Sequence, residues 1–122
     1  MIYSILIVDD SSMIRSSLRS WLAANSDWKV CGEAENGKEA VEKVEELHPD
    51  IVILDMQMPV MNGLDAARLI SQLAPRTAML MFTMHPSNEL LKAARAAGIR
   101  DVVSKVDPLS DHLSSALHRI CV

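Results

Sequence analysis

Ile51-Val52-Ile53-Leu54-Asp55 is an unbroken apolar run, three of its four apolar residues β-branched, that ends on a carboxylate. Ile5-Leu6-Ile7-Val8-Asp9-Asp10 repeats the arrangement and ends on two. A strand covered on one face alternates apolar and polar residues, whereas a parallel strand with helices on both faces reads as a continuous apolar run. Further apolar runs lie at 28–31, 78–82 and 101–103, and with 2–8 as the first, their starts are 26, 23, 27 and 23 residues apart. Each interval fits one strand and one crossover helix.

Helical patterns fill the intervals. Ile14, Leu18, Trp21 and Leu22, then Ala40, Val41, Val44 and Leu47, recur at the spacing of a single buried helix face. The second of these ends at His48-Pro49, because the residue before proline disfavours α geometry. A third helix is expected over 64–73, stopping before Pro75, and a fourth over 86–97, opening on a helix-compatible proline and closing on Gly98. The last starts near Pro108 and runs to Ile120, with Leu109, Leu113, Leu117 and Ile120 on one side. Five such units predict an α/β fold, a doubly wound five-stranded parallel sheet with five helices, and residues 1–122 read as one domain.

With 122 residues, 49% of them hydrophobic, the chain can bury a core without disulfides or a structural metal. Twelve Lys and Arg against 16 Asp and Glu give a net charge of −4 and no basic stripe, which argues against direct nucleic-acid binding. No apolar stretch approaches the roughly 18 residues of a membrane span. The N-terminus lacks the pattern of a signal peptide, and the two cysteines, Cys31 and Cys121, make no disulfide framework, so a cytoplasmic location is expected.

Chemistry concentrates where strands end. In open parallel sheets ligands bind beyond the carboxyl ends of the strands, where the winding reverses. If strands 1 and 3 flank that point, Asp9, Asp10 and Asp55 converge, and three ionised carboxylates repel one another unless a cation or proton intervenes. Oxygen-only ligands suit Mg²⁺. Either Asp9 or Asp10 could instead cap the first helix, a role equally open to Ser11 and Ser12. Thr83 ends strand 4 and Lys105 follows strand 5, so a hydroxyl and an ammonium share the same edge. A nucleophile, a metal site, a cation and a hydrogen-bond donor around one crevice form a phosphoryl-transfer constellation.

These residues stand in motifs: Ile-Leu-Ile-Val-Asp-Asp at 5–10, Ile-Val-Ile-Leu-Asp-Met-Gln-Met-Pro-Val-Met-Asn-Gly at 51–63, Leu-Met-Phe-Thr-Met-His at 80–85, Ala-Ala-Gly at 96–98 and Val-Val-Ser-Lys at 102–105. In them the chain resembles, over nearly its whole length, the receiver domain of bacterial two-component response regulators. Thr83-Met84-His85 resembles the subgroup whose receivers precede LuxR-type helix-turn-helix domains. The resemblance implies the flavodoxin-like strand order 2-1-3-4-5 and makes Asp55 the phosphoacceptor. It implies Asp10, Asp55 and the Gln57 backbone carbonyl as Mg²⁺ ligands, with Asp9 acting through a metal-bound water. Lys105 would pair with phosphoryl oxygens and Thr83 would swing toward them. A sensor histidine kinase or phosphotransfer protein is the implied donor, and a homodimer a further partner. The chain would be a signalling module that catalyses only its own phosphotransfer and dephosphorylation.

Two positions depart from that pattern. Val102 stands where most relatives carry Tyr or Phe, and Val106 stands where many carry a cis proline, so no aromatic partner for Thr83 and no cis bond are expected. The departures keep open a degenerate receiver that binds or dimerises without phosphate. Gln57 and His85, two residues beyond Asp55 and Thr83, occupy positions that the resemblance implies would contact an attacking water. His48, His112 and His118 read as surface residues, Met56, Met58, Met61, Met79, Met81 and Met84 as core filling, and Cys31 as a buried strand residue. The leucine stripe of the last helix fits either a partner surface or ordinary packing. Four glycines, at 32, 37, 63 and 98, cannot build a nucleotide-binding loop. A flavin site would also need a Ser/Thr-rich loop after strand 1, which is missing.

Overall fold

The computed structural model describes residues 2–105 and 111–120. Strands β1 (Tyr3–Val8), β2 (Trp28–Ala34), β3 (Ile51–Leu54), β4 (Ala78–Thr83) and β5 (Asp101–Ser104) alternate with helices α1 (Ser12–Ala23), α2 (Gly37–Leu47), α3 (Gly63–Leu73), α4 (Asn88–Ala96) and α5 (Asp111–Ile120). All strand pairs are parallel, and the sheet order is β2-β1-β3-β4-β5. This is the doubly wound, flavodoxin-like arrangement expected from the sequence.

Alternate residues of each central strand serve opposite faces, as the two-residue period of a strand requires. Ile5, Ile7, Ile51, Ile53, Leu80 and Phe82 pack with Leu18 and Leu22 of α1 and with Leu113, Ala116, Leu117 and Ile120 of α5. Leu6, Val8, Val52, Leu54, Met79 and Met81 pack on the other side with Ala40 and Val44 of α2, Ala66, Ala67 and Ile70 of α3, and Ala94 of α4. Burying one such aliphatic side chain is worth about 2 kcal/mol, so the two layers together hold the sheet edge rigid.

Several element boundaries differ from the sequence reading. β2 continues past residue 31 because Leu6, Ile7 and Val8 go on pairing with Gly32, Glu33 and Ala34 beyond a register shift. Helix α4 starts at Asn88, not Pro86: the Ser87 hydroxyl accepts the Leu90 amide at 3.0 Å and caps it. Ser11, not an aspartate, caps α1, accepting the Ile14 amide. Gly98 ends α4 with φ +95°, as expected, and His48 ends α2 in the left-handed region at φ +48°. Ile2 lies outside β1 and is exposed. Leu113 and Leu117 are buried in the core, which settles the α5 stripe as packing at those positions. Met79 and Met81 fill the core as expected, but Met84 is about half exposed at 48%. Cys31 is half-buried, and its thiol meets the Ile5 carbonyl. His48, His112 and His118 are all exposed. The readings at Val106, Pro108, Leu109 and Cys121 lie outside the described residues.

Candidate functional site

The strand ladders continue one step beyond the strands and bring the acids together. The Asp9 amide donates to the Ala34 carbonyl and the Asp55 amide to the Val8 carbonyl, both at 3.0 Å. Asp9 and Asp55 are therefore locked side by side at the carboxyl edge, where the sheet order reverses around β1 and β3. One oxygen each from Asp9, Asp10 and Asp55 lies within 4.8 Å of the others. Across the sheet the Lys105 amide donates to the Thr83 carbonyl at 2.8 Å, which carries the lysine back over the same edge.

Asp9, Asp10, Asp55, Gln57, Thr83 and Lys105 all line one cleft of about 390 Å³, with Met84 and His85 at its rim. Each residue singled out in the sequence for the site is thus in it. Their environments differ sharply. Asp9, Asp55 and Thr83 are buried, while Asp10 and Gln57 are exposed. The Lys105 ammonium, on a side chain only 6% exposed, lies 2.5 Å from Asp9 Oδ2 and 3.1 Å from Asp55 Oδ2. The remaining Asp9 oxygen accepts the Ser11 amide, and Asp55 Oδ1 accepts the Met56 amide at 2.8 Å. Burial pushes the Asp55 carboxyl above its ordinary pKa, and the nearby Asp9 charge adds to that. Lys105 and the Met56 amide oppose the rise without cancelling it.

The loop after Asp55 is held by a close backbone approach. Gly63 donates to the Met56 carbonyl at 2.8 Å, and a Cβ at position 63 would lie 2.1 Å from the Asp55 carbonyl oxygen. Only glycine fits there, which gives the Asn62-Gly63 pair its structural reason. Asn62 caps α3 through the Asp65 amide.

Two residues of this region escaped the sequence reading. Arg15, on α1, donates to the Asp9 carbonyl at 2.6 Å and pairs with Glu33 of β2 at 2.9 Å. Arg19 grips the other Glu33 oxygen at 2.7 Å. Their only sequence signal was charge on a helix face, where solvent exposure is the ordinary expectation.

Hard carboxylate oxygens at mutual distances short enough for one ion, two of them on buried acids, fit a small divalent cation such as Mg²⁺. The model for the response regulator receiver domain matches residues 5–116. The chain belongs to that family. Within it, this receiver is 39% identical over 101 residues to the chemotaxis protein CheY of Thermotoga maritima, with 83% of each chain covered. It is 48% identical over 97 residues to a protein-glutamate methylesterase/protein-glutamine glutaminase of Methanosarcina acetivorans; that match covers 77% of the receiver but only 28% of the larger protein. A LuxR-family two-component response regulator from Aurantimonas superposes with a TM-score of 0.92 at 27% identity, covering 99% of the receiver and 86% of that chain. Similarity thus extends to LuxR-family and chemotaxis receivers alike. No helix among the described residues is long and apolar enough to cross a membrane.

Proposed function

We propose that this receiver is a phosphorylation-controlled switch in which Asp55 is the phosphoacceptor. One observation carries the reading: a buried acid, Asp55, shares its cleft with two further carboxylates and with a buried ammonium already in contact with it. An Asp55 carboxylate oxygen attacks the phosphorus of a phosphohistidine on a sensor kinase or phosphotransfer protein. The nitrogen–phosphorus bond breaks, the histidine leaves, and an acyl phosphate remains on Asp55. Asp10, Asp55 and the Gln57 carbonyl would hold Mg²⁺, with Asp9 acting through a water, and the ion would supply positive charge against the carboxylates gathered there.

The chain's own residues do the rest. Lys105 offsets part of the charge of Asp9 and Asp55 before transfer and supplies a charge-assisted hydrogen bond to the phosphoryl oxygens afterwards. Thr83, buried at the end of β4, offers its hydroxyl to the same group. Added negative charge at Asp55 pulls both toward it, and the ends of β4 and β5 carry the change outward. Gln57 and His85 flank the approach of water and tune the lifetime of the phosphoryl group. In this reading one receiver domain fills residues 1–122, catalyses only its own phosphorylation and loss of phosphate, and works in the cytoplasm. A second copy of the chain is a further partner.

The phosphate-independent alternative rests on Val102, which is half-buried against the second core layer and offers no aromatic ring to follow Thr83. Intact mass separates the two. Incubation with Mg²⁺ and a small-molecule phosphodonor adds one phosphoryl group to the wild type and none to Asp55→Asn. Equal labelling of both proteins rules out Asp55 as acceptor.

A further inference from the structure

The acidic cluster needs more than its three carboxylates, because Asp10 is not held by its own side chain. It is exposed, and among the described residues no side-chain hydrogen bond fixes its carboxylate. Its position is inherited from the turn it sits in. Three contacts define that turn: the Asp9 amide on the Ala34 carbonyl, the Ser11 amide on Asp9 Oδ1, and the Arg15 guanidinium on the Asp9 carbonyl. The first two are local consequences of the strand and of the Asp9 side chain. The third is made by a separate side chain from α1, at 2.6 Å. It grips the peptide that joins Asp9 to Asp10, and so sets the direction in which the chain presents Asp10.

Arg15 is itself anchored. Its side chain is 16% exposed, and Glu33 on the edge strand β2 accepts its Nε proton at 2.9 Å while also holding Arg19. Burial raises the Glu33 carboxyl, but its two arginine partners outweigh that and keep it below its usual pKa, so at neutral pH the anchor is charged. An arginine suits this task because its planar fork can serve a carbonyl and a carboxylate at once, which a lysine cannot do with fixed geometry.

We propose that Arg15, anchored by Glu33, is a positioning residue that holds the Asp9–Asp10 turn in the geometry that takes the divalent cation. The inference rests on the cation site proposed above. Its distinguishing feature is a sign. A positive charge beside a cation site repels the cation, so if Arg15 acted through charge alone, Arg15→Gln would tighten Mg²⁺ binding. As a positioning residue its loss weakens binding, and partners that orient metal ligands from outside typically contribute tenfold or more to affinity.

The test is a titration of the domain with Mg²⁺ alone, followed by amide NMR at Asp10 and Asp55, with thermal melting of each protein in parallel. Arg15→Gln is expected to lose roughly tenfold in Mg²⁺ affinity. Glu33→Gln, which leaves Arg15 in place but weakens its anchor, should lose less, and Arg15→Lys should fall between Arg15→Gln and the wild type. Lowered melting temperatures with unchanged or tighter Mg²⁺ binding in the folded variants overturn the inference and leave the cation site standing. Should Arg15→Gln fail to fold, Glu33→Gln decides by the same criterion. Absence of Mg²⁺ binding by the wild type overturns the site and this inference with it.

Discussion

Lys105 sits closer to Asp9 than to the acid beside it: its ammonium is 2.5 Å from Asp9 Oδ2 and 3.1 Å from Asp55 Oδ2. Before any phosphoryl group arrives, the cation is shared, with the shorter contact on the neighbour of the proposed acceptor. A phosphoryl group on Asp55 would add charge on the weaker side of that pair. The lysine then moves a short distance between two partners, with no need to be recruited from solvent.

Removing this cation exposes the repulsion it masks. Breaking a buried ion pair from one side strands the partner charges, at a cost of about 3 kcal/mol. Lys105→Ala is therefore expected to lose about that much stability in the absence of divalent cations. Mg²⁺ should restore more stability to the variant than it adds to the wild type. Urea unfolding with and without Mg²⁺ measures both, and equal stabilisation of the two proteins contradicts the prediction.

The raised Asp55 pKa makes a prediction with a definite pH window. An acid whose pKa is higher in the folded than in the unfolded state contributes stability below its unfolded pKa, and that contribution is lost as pH rises through the folded value. At neutral pH and without metal, the ionised Asp55 costs stability because burial is the dominant influence on it. Asp55→Asn should thus melt at a higher temperature than the wild type at pH 7, and the gap should close toward acid pH. A gap of opposite sign, or one independent of pH, contradicts this.

Beside the site the backbone itself is strained. Val60, exposed and β-branched, has φ +69°, and the amide of Met61 reaches back to the Pro59 carbonyl at 2.7 Å in a three-residue turn. β-Branched residues rarely adopt a positive φ, and glycine, which has no Cβ, adopts it freely. Val60→Gly should raise stability by about 1 kcal/mol, read from denaturant midpoints at unchanged slope.

Most of the architecture was legible because the sheet is buried on both faces. Continuous runs such as Ile51 to Leu54 have no solvent face to mask their periodicity, and their terminal aspartates mark the carboxyl edge directly. The β2 boundary was not legible: Gly32 and Glu33 carry no strand signal, and it is pairing with Leu6 and Ile7 that keeps them extended. Pro86 drew the start of α4 too early because the cap is a hydroxyl one residue later. Asp9, Asp10, Asp55, Thr83 and Lys105 could be placed from strand ends alone, since each follows or ends a strand, whereas Gln57 came from the resemblance. Arg15 and Glu33 could not, because they are 18 residues apart on different elements and meet only once β1 and β2 pair.

In the proposed switch, phosphorylation of Asp55 moves a surface despite Val102. Amide NMR of the domain with Mg²⁺, before and after a small-molecule phosphodonor, tests it most directly, with Asp55→Asn alongside. Shifts are expected to begin at Asp55 and Thr83, spread through β5 to the face of α5, and vanish in the variant. A phosphoryl adduct on Asp55 whose shifts stay confined to the cleft would contradict it.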